Sequence, residues 1–208
     1  MSRFRLDIEY DGTAFRGWAR QEGVETVQEH LERALEVALR HDSPIELVVA
    51  GRTDAGVHAV NQVASFEFDG ELPEGILRSL NGLTPREIAV LDIARTADRF
   101  DARRDAIART YCYRILARRP DSPFGVNRAW WISRELDRSL LDACARAVTG
   151  THDFTAFTPT ETYHTRFRRD IHSARWVDED GLVDPATGTR FGQRTIQFWI
   201  TGDSFMRN

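Results

Sequence analysis

Apolar and charged residues alternate over residues 4–10 of the chain. The apolar side chains occupy the even positions: Phe4, Leu6, Ile8 and Tyr10. A period of two is that of a half-buried strand, and the turn dipeptide Asp11-Gly12 ends the pattern. Further strands are predicted at residues 45–50, 62–68 and 88–93.

Apolar residues recur at helical spacing between these strands. The first helix follows a capping-box pattern from Thr26 to Glu29 and runs to about Arg40. The second helix begins at Pro73. The resulting order β-α-β-β-α-β is the ferredoxin-like order. We therefore expect residues 1–104 to form one ferredoxin-like half. The candidate catalytic loop belongs to this half and lies at the end of a strand.

Residues 105–208 repeat this pattern incompletely. Strands are predicted at residues 107–117, 129–133, 170–177 and 194–201. A helix that Gly150 ends carries one apolar face, made of Leu136, Leu140, Leu141, Cys144, Ala147 and Val148. This spacing predicts that Cys144 lies in the core. The order β-β-α-β-β indicates a duplicated half, with a site expected in the cleft where the halves meet.

All 28 residues in the Lys+Arg total of this 208-residue chain are Arg. The absence of lysine excludes a Schiff-base nucleophile, a pyridoxal phosphate anchor and a Walker A lysine. The hydrophobic fraction of 41% and the charged fraction of 29% are ordinary for a globular protein. Carboxylates, histidines and guanidinium groups remain as candidate catalytic groups.

The net charge of −4 conceals an asymmetry between the halves. Residues 1–100 carry 11 Arg and 18 acidic residues, whereas residues 101–208 carry 17 Arg and 14 acidic residues. Arg residues are clustered at residues 99–119. A second cluster consists of Arg166, Arg168, Arg169 and Arg175. Such clusters suit either a solvated surface or a phosphate-binding one. The interleaved aromatic residues Tyr111, Tyr113 and Trp176 favour stacked bases.

Cysteine and histidine spacing supports no metal site. Cys112 and Cys144 form no Cys-x-x-Cys pair, and the six His lack ligand spacing. No apolar run is long enough to cross a membrane or to serve as a signal peptide. We expect a cytoplasmic protein with no membrane partner and no cofactor.

The densest candidate site is the loop at residues 50–59. Gly51 and Gly56 suit a tight connection in which Asp54 bonds local amides. The same loop also suits a rigidly held carboxylate with Arg52 and His58 as charged neighbours. Three other segments are weaker candidates for a functional site. Residues 9–18 have the character of a turn, residues 109–113 that of a strand, and residues 150–154 that of the end of a helix.

These segments resemble the tRNA pseudouridine synthase A family, which acts on uridines 38, 39 and 40 of the anticodon stem-loop. Residues 51–58 resemble the family signature, and its secondary blocks are matched in order at residues 9–18, 28–35, 62–66 and 150–157. The resemblance implies an α+β fold of two ferredoxin-like (RRM-like) halves, which form one extended antiparallel sheet with helices on one face. It also implies a homodimer, a tRNA substrate, and neither metal nor cofactor.

The resemblance further assigns roles to individual residues. Asp54 is implied as the catalytic aspartate, Arg52 as a residue that helps to extrude the base, and Tyr111 as the residue that packs against the target uracil. The carboxylate can attack C1′, or it can remove the C2′ proton to give a glycal. Further RNA-binding candidates are His58, Arg109, Arg168 and Arg169.

Two departures from the family pattern, and three alternative functions, accompany this resemblance. Residues 200–208 resemble the segment just before the family's arginine that pairs with the catalytic carboxylate, so we expect the reading frame to continue past Asn208. Asp101 stands where the family commonly has His. The alternatives are a non-catalytic RNA-binding protein, an inactive fragment of the synthase, and a glycosidase that needs a second carboxylate.

Overall fold

The first strand is one of the two inner strands of a four-stranded antiparallel sheet in the computed structural model, which describes residues 1–158, 165–191 and 194–206. The elements of this first unit are β1 (Ser2–Tyr10), α1 (Val27–Leu39), β2 (Val48–Val49), β3 (Ala59–Phe68), α2 (Ile76–Leu83) and β4 (Ile88–Arg95). The strand order is β2-β3-β1-β4 and every pairing is antiparallel. This is the ferredoxin-like arrangement that the sequence predicts.

The alternation in β1 has the predicted effect. Its even residues from Phe4 to Tyr10 are buried, and they share one core with the apolar face of α1, including Leu31 and Leu35. Both helices therefore cover the same face of the sheet, because the buried residues Ile76 and Leu80 of α2 belong to that core as well. The first unit has a continuous hydrophobic core.

The capping box predicted at Thr26 is wrong. Thr26 precedes α1, but its side chain caps no backbone group, and its buried Oγ1 has no hydrogen-bond partner among the described residues. Backbone carbonyls supply the partners instead. The N–H of Val27 donates to the Gly17 carbonyl at 3.2 Å, and the N–H of Gln28 donates to the Trp18 carbonyl at 3.0 Å. A neighbouring chain segment thus satisfies the helix end.

The second unit is built around a five-stranded sheet. Its elements are β5 (Arg109–Ala117), β6 (Trp130–Ile132), α3 (Arg138–Val148), β7 (Gly150–Asp153), β8 (Arg168–Glu179), β9 (Leu182–Val183), β10 (Arg190–Phe191) and β11 (Thr195–Gly202). The order is β6-β5-β11-β8-β7, with β9 and β10 forming a separate hairpin. The central order β5-β11-β8 repeats the β1-β3-β2 order of the first unit. The α+β fold class is thereby confirmed.

Three features of the second unit differ from the sequence prediction. β5 and β6 pair in parallel, since the segment 118–129 between them is long enough for a crossover. The His-Asp segment after Gly150 is the strand β7, which pairs with β8. Cys144 is exposed rather than buried, because α3 turns Ala145 inward and leaves Leu140 62% exposed.

The chain divides into two compact units, Met1–Ala106 and Ile107–Asn208. The boundary proposed from sequence and the joining of both sheets into one extended sheet stay predictions. Arg207 and Asn208, which figured in the resemblance, lie outside the described residues. Among the described residues, no helix has the length and apolar character needed to cross a bilayer.

Candidate active site

The Asp54 loop leaves β2 and is bound first to β3. The N–H of Ala50 donates to the Val63 carbonyl at 2.9 Å. The Gln62 side chain donates from Nε2 to the Gly51 carbonyl at 2.8 Å. The start of the loop is therefore fixed to the sheet before the chain reaches Asp54.

A second loop, which follows β1, holds the far side of the Asp54 loop. The N–H of Trp18 donates to the Thr53 carbonyl at 3.0 Å, and the N–H of Gly56 donates to the Phe15 carbonyl at 3.3 Å. We call residues 11–18 and 50–58 the paired loops. The sequence indicated two separate features here, since hydrogen bonds between segments 40 residues apart leave no local pattern.

Glycine permits this close approach. A Cβ on Gly12 would lie 2.0 Å from the Val57 carbonyl oxygen, and one on Gly17 would lie 2.7 Å from the Thr53 carbonyl oxygen. Gly17 also has φ +97°, a backbone region that other residues rarely adopt. Both glycines are thus required by contact between backbones.

A buried polar contact joins β1 to the same loop. The Tyr10 hydroxyl is 2.7 Å from the Thr53 Oγ1, and Gln62 Nε2 lies 3.4 Å from it. Tyr10 is only 4% exposed. Burial raises the pKa of the Tyr10 phenol, although its hydrogen bonds with Thr53 and Gln62 lower it. Tyr10 therefore remains neutral and holds the residue that precedes Asp54.

His58 is engaged at the other end of the loop. Its Nδ1 accepts the N–H of Gly12 at 3.1 Å and lies 2.9 Å from Asp11 Oδ1. The neutral ring with an unprotonated Nδ1 accepts from Gly12, whereas a ring protonated at Nδ1 donates to Asp11. His58 thus binds one of the paired loops to the other, and its contact with RNA stays a prediction.

Asp54 and Arg52 are both exposed on this loop. The Asp54 carbonyl accepts the N–H of Val57 at 3.2 Å, and Gly56 has φ +78°, which closes the turn. A depression of about 340 Å³ lies between the paired loops, and its lining residues are Thr13, Ala14, Phe15, Arg16, Ala55 and Gly56. Asp54 precedes two of these residues in the chain and is not itself part of the lining. An exposed carboxylate on a loop held by backbone hydrogen bonds is suited to act on a large substrate.

The remaining candidates lie in the second unit. Tyr111 on β5 packs edge to face against Phe205, with ring centroids 5.0 Å apart. Arg109 donates from Nη1 to the Asp203 carbonyl at 2.7 Å, so part of its side chain secures the end of β11. The ring of Tyr111 is half-buried.

Arg168 and Arg169 begin β8, beside β7. Arg168 is exposed, and the guanidinium of Arg169 donates to the Arg168 carbonyl at 2.9 Å. The neighbouring Asp153 accepts hydrogen bonds from the Thr155 hydroxyl and amide, which lower the pKa of this carboxyl, and the charge of Arg168 adds to the effect. His152 bonds the Thr149 carbonyl at 2.9 Å rather than Asp153.

No group of three or more potential metal ligands occurs among residues 1–158, 165–191 and 194–206.

Comparison with known protein families identifies the first unit by its sequence. Residues 8–103 match the family model described as tRNA pseudouridine synthase. That match contains both of the paired loops. The class of protein is thus that of the pseudouridine synthases.

Curated relatives identify the family more closely. A protein named tRNA pseudouridine synthase A from Agrobacterium fabrum is 42% identical over 100% of this chain and 74% of its own length. One of the same name from Sinorhizobium fredii is 35% identical over 100% of this chain and 80% of its own length. The chain belongs to the tRNA pseudouridine synthase A family, and the resemblance found in the sequence is confirmed.

Coverage of the relatives is incomplete. A third protein of that name, from Methylobacterium nodulans, is 42% identical over 77% of this chain, and the match spans 63% of the relative. The chain is thus shorter than the relatives it matches.

Proposed function

We propose that the protein isomerises uridine to pseudouridine in tRNA, at positions 38, 39 and 40 of the anticodon stem-loop, with Asp54 as the catalytic residue. The observation that carries this proposal is the mounting of Asp54 on the paired loops. Thr53 is held through its carbonyl and its hydroxyl, and Asp54 through its own carbonyl. Family membership supplies the reaction class.

The reaction breaks the C1′–N1 bond of uridine, rotates the uracil and forms a C1′–C5 bond. The proton on C5 is lost and N1 gains one, so the product is an isomer of the substrate. The Asp54 carboxylate acts either as nucleophile at C1′ or as the base that removes the C2′ proton. Neither route involves a net oxidation or reduction or adds a group, and neither needs a redox cofactor.

Two further residues are assigned to base extrusion. A uridine inside a stacked stem must leave the stack, at a cost of roughly a few kcal/mol. Arg52, exposed two residues before Asp54, is proposed to fill the vacated space. Tyr111 is proposed to pack against the extruded uracil, because an aromatic ring stabilises an unstacked base.

The RNA backbone is assigned to the Arg side chains. Arg168 is exposed and is proposed to contact phosphate, together with Arg169, Arg109 and His58. Three of these four side chains also bond the protein itself, Arg109 through the Asp203 carbonyl. We therefore expect Arg168 to report RNA contact most cleanly.

Replacing Asp54 tests the catalytic assignment. We expect Asp54→Asn to abolish tritium release from tRNA that carries 5-tritiated uridine, while tRNA affinity stays within a few-fold. Asp69→Asn is the matched control, because Asp69 is an exposed Asp in the same unit, just beyond the far end of β3. It should release tritium at the rate of the unchanged protein.

The same assay separates the alternatives. Equal release by Asp54→Asn and the unchanged protein contradicts the role of Asp54. Binding of tRNA without any release by the unchanged protein favours a non-catalytic RNA-binding protein or an inactive fragment. Appearance of free uracil indicates a glycosidase.

The homodimer and the cytoplasmic location complete the proposal. Both rest on the resemblance to the family and on the sequence. Sedimentation velocity over a range of protein concentrations tests the dimer, for which we expect a species of twice the chain mass. Fractionation of the cells that express the protein tests the location.

A further inference from the structure

The two faces of the second sheet differ in what covers them. Helix α3 packs against one face, where the Trp176 indole donates to the Leu141 carbonyl at 3.1 Å and stacks near Phe198 at 4.8 Å. Trp176 is therefore engaged in protein packing, although the sequence suggested it for base stacking. Neighbouring residues on each strand point to the opposite face.

On that opposite face, strand register places nine residues in three rows. The rows are Thr110–Thr201–Ser173, Cys112–Trp199–Arg175 and Arg114–Gln197–Val177. We call these nine residues the Trp199 face. Trp199 lies at its centre, on the middle strand β11, and directly opposed residues on neighbouring strands have Cβ atoms about 4.5–5.5 Å apart. Trp199 is half-buried, whereas Cys112 and Arg175 on either side are exposed.

The indole ring of Trp199 is held in one orientation. Its Nε1 donates to Gln197 Oε1 at 2.7 Å, and Gln197 itself is only 8% exposed. Cys112, directly opposite Trp199 on β5, has a small side chain that leaves room beside the ring. A fixed aromatic ring with a small neighbour can receive a base at low entropic cost.

The charge of this face is positive beside the ring. Arg114 and Glu179 form an ion pair at 2.8 Å and offset each other. Arg175 adds a cation directly opposite Trp199. The hydroxyl groups of Thr110 and Thr201, 2.9 Å apart, add donors and acceptors in the next row. An aromatic ring, a guanidinium and hydroxyls on a partly exposed sheet face are groups that bind single-stranded RNA.

We propose that the Trp199 face binds an unpaired segment of the RNA substrate, with one base stacked on Trp199 and an adjacent phosphate paired with Arg175. This inference rests on the proposed function for the identity of the RNA. It assigns to the second unit a binding surface separate from the Asp54 loop.

Binding of a fluorescein-labelled uridine-rich 12-nucleotide RNA to the full chain tests the proposal. We expect Trp199→Ala to weaken binding about tenfold or more, and Trp199→Phe to restore most of the affinity, because a ring remains. Arg175→Gln should lower the slope of log affinity against log salt by about 0.7. Trp130→Ala is the matched control, since Trp130 is 69% exposed and lies on the α3 side of the sheet.

Equal affinities for Trp199→Ala, Trp130→Ala and the unchanged protein overturn the proposal. A loss that is the same in Trp199→Ala and Trp199→Phe indicates a packing defect and overturns it too. The Trp199 indole N–H resonance should shift on adding the RNA, and no shift contradicts stacking. Because Asp54→Asn should bind this RNA normally, failure of the catalytic assignment is distinguishable from failure of this one.

Discussion

At the scale of single residues, the absence of a side chain on Gly12 decides how closely the paired loops approach. The Val57 carbonyl occupies the space that a Cβ would need. Backbone oxygen cannot move aside as a flexible side chain can, so any larger residue must separate the loops. The position of Asp54 therefore depends on a residue that carries no chemistry of its own.

Gly12→Ala is expected to destabilise the protein by about 2 kcal/mol or more and to reduce pseudouridine formation. The contact of 2.0 Å with the Val57 oxygen is the reason. Urea unfolding and tritium release measure the two effects. Gly82→Ala is the control, because its Cβ would meet nothing within 4 Å and helix propensity favours alanine. Similar unfolding midpoints for the two variants contradict this account.

Asp101, which we predicted from the sequence to depart from the family pattern, closes a local turn. Its Oδ1 accepts the N–H groups of Arg103 and Arg104, both at 2.9 Å. These bonds, that of Arg104 first, lower the pKa of the Asp101 carboxyl although burial opposes them. The aspartate thus closes a local turn, a role that its short carboxylate suits.

At the scale of elements, the end of β1 connects the sheet to the site. Tyr10 is the last residue of β1, and its hydroxyl forms a hydrogen bond with the Thr53 side chain. This hydroxyl therefore joins the end of the strand to the Asp54 loop. The buried phenol is stable only when neutral, because burial penalises its charged form. The stability of this junction therefore depends on pH in the alkaline range.

A decline in stability above about pH 10 is expected from Tyr10. Its pKa is raised on folding, so its contribution is complete below the unfolded value and is lost as pH rises through the folded value. Tyr10→Phe should remove this part of the decline and cost about 1 kcal/mol at neutral pH through the lost bond to Thr53. Urea unfolding between pH 8 and pH 11 measures both effects.

Tyr113→Phe serves as the comparison for Tyr10→Phe, because Tyr113 is 59% exposed. Its alkaline decline should match that of the unchanged protein. An identical decline in all three proteins assigns the pH dependence to other groups.

Sequence periodicity predicted elements well and tertiary contacts poorly. The alternation in β1 and the helical spacing of α1 were sufficient, since each depends on neighbouring residues. The capping box at Thr26 was predicted wrongly because the first N–H groups of α1 donate to the carbonyls of Gly17 and Trp18 instead. Glu32 lies beside the apolar stripe of α1 yet is 2% exposed, where it bonds Arg20, Gln28 and the Leu47 amide. Such networks are defined by the fold alone.

The candidate site, like the fold, could be predicted from the sequence only in part. The glycine positions around Asp54 predicted a tight loop, and the structure contains one. The contribution of residues 11–18 was not predictable, because an isolated Asp11-Gly12 turn has many possible partners. The packing of Trp176 against α3, and the opposite placement of Trp199, required the strand register of the second sheet.

At the scale of the whole molecule, charge separates the halves of the chain. The acidic first half carries the Asp54 loop, whereas the second half has the Arg excess. We therefore expect the proposed tRNA substrate to contact the second half, with counterion release contributing to its affinity. The net charge of −4 is therefore compatible with RNA binding.

Arg168→Ala is expected to weaken tRNA binding across tRNA species and to lower the slope of log affinity against log salt by about 0.7–0.9. Arg168 is exposed at the start of β8, so its removal disturbs no core packing. Arg78→Ala is the control, because Arg78 is exposed on α2 in the acidic half. Equal salt slopes for the two variants place the RNA-binding surface elsewhere.

Arg109→Ala should lower the unfolding midpoint as well as the slope, because the Arg109 guanidinium also bonds the Asp203 carbonyl.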